Sequence, residues 1–109
     1  MIKTEMEELL ISTKAPINEG TPEDKQIEAP VRICFWEYIW EPLTASGKEY
    51  NTKVTYQISV IANIPRCKEI IYLKHRLAEL GLNPIIQHEY NVEDRRWHSY
   101  FSLEVLENV

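Results

Sequence analysis

Over residues 2–11, apolar side chains recur where one face of a helix would place them: Ile2, Met6, Leu9 and Leu10 form a stripe, with Lys3, Glu5, Glu7 and Glu8 largely opposite. The spacing predicts a short amphipathic helix. Residues 12–30 break that period with three prolines, one glycine and the polar run Thr21-Pro22-Glu23-Asp24-Lys25-Gln26, which predicts a long loop or arm with no core pattern of its own. From Val31 to Glu41 the pattern changes again. β-Branched and aromatic residues follow one another with apolar side chains on both faces: Val31, Ile33, Phe35 and Ile39 on one, Cys34, Trp36, Tyr38 and Trp40 on the other. A strand with one face in water has no reason to look like this.

Pro42 stops that strand, and Thr44-Ala45-Ser46-Gly47-Lys48 carries turn chemistry. Residues 50–62 return as a second strand, in which Val54, Tyr56, Ile58, Val60 and Ala62 alternate against Thr55, Gln57, Ser59 and Ile61. Pro65 suits the first turn of a helix, where an N–H is not needed. Cys67, Ile70, Leu73, Leu77 and Leu80 continue the stripe, and Gly81 offers the left-handed stop. Asn83–Tyr90 and Trp97–Leu106 read as the arms of a closing hairpin around Asn91-Val92-Glu93-Asp94-Arg95-Arg96, with Trp97, Phe101, Leu103 and Val105 inward and His98, Ser102 and Glu104 outward. The predicted order is α-β-β-α-β-β. That implies an α+β fold, a four-stranded mainly antiparallel sheet with two helices on one face, in a single domain over residues 1–109.

Composition narrows the functions open to such a module. Seventeen acidic against twelve basic residues leave a net charge of −5, which opposes tight binding to a phosphate backbone. No apolar run is long enough for a membrane span, and the first residues carry no signal-peptide pattern, so the expected address is the cytoplasm. Cys34 and Cys67 have no CxxC or histidine spacing around them and are expected to be buried thiols.

The residues that could carry chemistry do not form a set. His88 and His98 lie on the two arms of the last hairpin with Glu89 and Glu104 near in sequence, but no third ligand is specified; His75 stands alone. Ser46 sits in a turn without a nucleophile elbow, and phosphate-loop, zinc-protease and EF-hand motifs are absent. The carboxylates Glu37 and Glu41 on one strand face, and Glu89, Glu93 and Asp94 near a turn, suggest no shared pocket. The expectation is a protein with no catalytic residues, no metal and no cofactor.

The aromatic run offers more. Trp36, Tyr38 and Trp40 at alternate positions would project as one large apolar surface, covered by a helix of this chain, by a neighbouring subunit or partner, or by stacked bases. With Lys48 and Tyr50 beyond the strand, they are the candidate subunit or partner interface.

The succession of a short helix, a long proline-bearing loop, an aromatic strand, a glycine-bearing turn, Lys53-Val-Thr-Tyr-Gln-Ile-Ser-Val60, and a helix ending Leu-Ala-Glu-Leu-Gly81 resembles the tail terminator, or tail completion, proteins of long-tailed phages and prophages. The closing stretch from His88 to Val105 is similar to the hairpin in which such proteins end, and the likeness covers residues 31–107. The resemblance implies a virion structural protein made in the host bacterial cytoplasm and located in the tail. It would form a homo-hexameric ring that caps the tail tube and meets a head-completion or connector protein. DNA would pass through without specific binding, and no membrane would be involved. A different class also fits the acidity: a small phage-encoded inhibitor or adaptor that docks on a host protein.

Overall fold

The computed structural model describes residues 1–20, 29–43 and 50–109. The elements are α1 (Lys3–Ile11), β1 (Ile17–Glu19), β2 (Val31–Pro42), β3 (Thr52–Ala62), α2 (Lys68–Glu79), β4 (Gln87–Asn91) and β5 (Arg96–Glu107). They form a five-stranded mixed sheet in the order β1-β2-β3-β5-β4, with β1 parallel to β2 and the other neighbours antiparallel. The α+β class and the two helices agree with the sequence pattern; the four-stranded sheet does not.

The additional strand comes from the segment expected to be a loop. Pro16 accepts the Ile33 N–H at 2.8 Å and the Gly20 N–H reaches Phe35 at 2.8 Å, so Ile17–Glu19 lies in register beside Ile33–Phe35. Ala15 and Ile17 pack against the core. The remainder of that predicted arm, residues 21–28, lies outside the described residues, as do residues 44–49 with the turn and Ser46.

Alternation in β3 sets one face of the sheet. Val54, Tyr56, Ile58, Val60 and Ala62 point to the side where Phe101, Leu103 and Val105 of β5 and Ile33 and Phe35 of β2 also lie. Met6, Leu9 and Leu10 of α1 and Ile70, Leu73 and Leu77 of α2 close the same core. Each fully buried aliphatic side chain there contributes about 1.5–3 kcal/mol. Tyr56 is buried among them, yet its hydroxyl donates to Glu107 at 2.7 Å. Burial first, and then that hydrogen bond, pushes the Tyr56 hydroxyl well above its ordinary range.

Helix ends follow local chemistry with one adjustment. At the C-terminus of α2 the Leu82 N–H bonds Leu77 and the Gly81 N–H bonds Ala78, a Schellman arrangement that needs Gly81 at φ +78°. The N-terminus starts later than the proline suggested: Pro65 and Arg66 form a turn, Arg66 adopting φ +50°, and Cys67 is the N-cap. Leu80, expected in the buried stripe, is exposed beyond the last turn. β4 begins at Gln87 instead of Asn83, because Pro84 has no N–H for a ladder.

Candidate functional site

The two halves of β2 have different surroundings. Ile33 and Phe35 are buried beneath the helices and Cys34 is buried on the opposite face beside Asn18 of β1, whereas every residue from Trp36 to Pro42 is exposed. β1 ends opposite Phe35, so beyond that point β2 has a described neighbour on one side only.

A bulge changes what the exposed half presents. Glu37 pairs with Tyr56 and Ile39 with Thr55, leaving Tyr38 as the extra residue. Residues directly opposite share a face. Trp36, opposite Gln57, therefore lies on the face away from the helices, while Trp40, opposite Val54, lies on the helix face. The single surface expected of Trp36, Tyr38 and Trp40 is thus divided: alternation was a sound guide only up to the inserted residue. The same shift separates Glu37 from Glu41, which the sequence placed on one strand face, and moves Ile39 away from Ile33 and Phe35.

Neither helix covers these aromatics. Trp36 is 37% exposed, Tyr38 50%, Ile39 47% and Trp40 57%. Tyr38 is steered by a 2.8 Å hydrogen bond between its hydroxyl and that of Ser102, across two strands on the outer face. Thr55, Gln57 and Pro84 lie beside it along a shallow surface. Lys53, paired with Glu41 at 2.9 Å and Glu104 at 3.0 Å, ties three strands together at the far end of that face. Asn51 closes the base of the hairpin: it accepts the Leu43 N–H, donates its own N–H to Glu107 and binds Asn108 through its side chain. Tyr50 stands just before β3 and is half-buried; Lys48 falls outside the described residues.

The candidates for chemistry are dispersed. His88 pairs across from Ser99 and bonds its hydroxyl through Nδ1 at 2.7 Å, while His98 pairs with Glu89 and meets Asp94 at 2.9 Å. Adjacent register positions put the two histidines on opposite faces of the hairpin. Glu93 and Asp94 are held by the turn, where the Asn91 side chain accepts both of their N–H groups. Among the described residues no group of three or more His, Cys, Asp or Glu side chains is placed to hold a metal ion, and no helix is long and apolar enough to cross a membrane. Cys34 and Cys67 are free and buried, and burial pushes both thiols up.

One feature escaped the sequence pattern. Between α2 and β4 a groove of about 290 Å³ is lined by Arg66, Ile70, Ile71, Lys74, Ile86 and His88. Ile71 stands off the helical stripe and Ile86 precedes the hairpin strand, so neither belongs to a periodic signal.

No family model matches the chain, and no curated protein does so significantly. Among solved structures it is similar to the sheath/tube terminator of an extracellular contractile injection system, PVC, in the extended state, with a TM-score of 0.37 and 11% identity over 97% of this chain. The chain spans 55% of that structure's length.

Proposed function

We propose that the chain is a structural subunit of a phage-type tail, forming a homo-hexameric ring that closes the tail tube and joins it to the head-completion or connector protein. The observation that carries this reading is the distal half of β2. Among the seven consecutive exposed residues from Trp36 to Pro42, Trp36, Tyr38, Ile39 and Trp40 bear large apolar side chains spread over two faces, and no described element covers them. Aromatic surface of that kind belongs to interface cores. The resemblance over residues 31–107 points to the same class.

The charge suits a ring around DNA. Six copies of a chain at −5 would carry about −30, and any part of that charge facing the lumen repels the duplex and lets it slide. The subunit would reside in the virion tail after synthesis in the host cytoplasm. Mass photometry of the protein with and without its tail tube protein tests the reading. A species of six chains, alone or on tube ends, is expected; a single-chain mass under all conditions contradicts it. A single chain that instead captures a basic host protein would support the inhibitor or adaptor reading, which the net charge also allows.

A further inference from the structure

We propose that neighbouring subunits join head to tail, with the Glu37 and Trp40 side of one chain's β2 entering the groove between α2 and β4 of the next chain. This rests on the ring reading and adds the contact by which the ring closes. The two surfaces lie at opposite edges of the sheet, β2 beyond the end of β1 and β4 at the far side. Different patches on opposite edges form a heterologous contact, which propagates and closes into a ring when the rotation allows.

Their chemistry is complementary. Glu37 and Trp40 share the helix face of β2, and Glu37 has no ion-pair partner among the described residues. In the groove Ile70 and Ile86 with the 44% exposed Ile71 offer an aliphatic seat. Arg66 and Lys74 stand at its rim, also without ion-pair partners among the described residues. An indole seated there gains aliphatic contact and a cation over its ring, and the carboxylate three positions before it meets two unspent cations. Pairing β2 with β2 of a second copy is the poorer alternative. The bulge interrupts the ladder that antiparallel pairing would need, and Pro42 donates nothing.

Charge exchange tests the contact. Glu37→Lys, and separately Arg66→Glu with Lys74→Glu, are each expected to weaken assembly on the tail tube at least about tenfold, and the three changes combined to restore much of it. A second measurement does not depend on those variants folding well. A Trp40→Cys chain and an Ile71→Cys chain, carrying different tags, are mixed and mildly oxidised; the native thiols are buried and stay out of the reaction. The mixed disulfide is expected to exceed either homodimer, and to disappear when Glu37→Lys is added to the Trp40→Cys chain. Rings that form from all charge variants alike, or cross-links dominated by Trp40→Cys homodimers, overturn this contact and leave the ring reading standing. Absence of any assembly by the unmodified chain removes both.

Discussion

β3 and the distal half of β2 run side by side, yet one is buried along most of its length and the other is exposed from Trp36 onward. Their residue types do not explain this, since both are β-branched and aromatic. Position does: β3 lies between β2 and β5 beneath both helices, while β2 outruns β1 after Phe35. In the covered region apolar side chains supply stability. In the uncovered region the same kinds of side chain are surplus to the fold and available to a partner.

The largest expected effect breaks the covered side. Leu73→Ala, under complete burial in α2, should lose about 2–5 kcal/mol in a denaturant titration. Trp36→Ser with Trp40→Ser should cost far less in the same titration, about 1 kcal/mol or below, because both residues already face solvent. A loss comparable to that of Leu73→Ala would make them core and erase the comparison.

Two tyrosine hydroxyls sharpen it further. Tyr56→Phe removes the buried bond to Glu107 and should cost about 1 kcal/mol at neutral pH. Because the folded state holds the Tyr56 proton more tightly than the unfolded chain, whose hydroxyl titrates near 10.0, that contribution is complete below pH 10 and is lost as pH rises beyond it. Stability of the Phe variant should therefore fall less steeply than that of the unmodified chain in melts above pH 10. Tyr38→Phe removes a bond of similar length to Ser102 on the exposed face and should move stability by no more than about 0.5 kcal/mol.

What the sequence made legible was whatever repeats locally. The stripes of α1 and of α2 as far as Leu77, the inward Phe101, Leu103 and Val105 of β5, the stop at Gly81 and the burial of both cysteines were readable because period and turn chemistry act over a few residues. Strand β1 was not, since three residues reading Ile-Asn-Glu become a strand only by pairing with Ile33–Phe35 sixteen positions away. The bulge at Tyr38 was also hidden, and one inserted residue is enough to send Trp40 and Glu41 to the faces opposite those that alternation assigns. Alternation therefore misplaced the geometry of Trp36, Tyr38 and Trp40, the aromatic part of the candidate interface. The α2–β4 groove was not legible, because no local period brings Arg66 of a turn and Ile70, Ile71 and Lys74 of α2 beside Ile86 and His88 of the closing segment.

On the ring reading, the uncovered half of β2 builds the assembly and not the fold. Negative-stain electron microscopy of tail tube mixed with either the unmodified chain or the Trp36→Ser, Trp40→Ser variant tests it most directly, with circular dichroism confirming that both are folded. Sixfold caps at tube ends are expected for the unmodified chain and bare ends for a folded variant. Caps that form equally well with the variant, or a variant that has lost its fold, would contradict it.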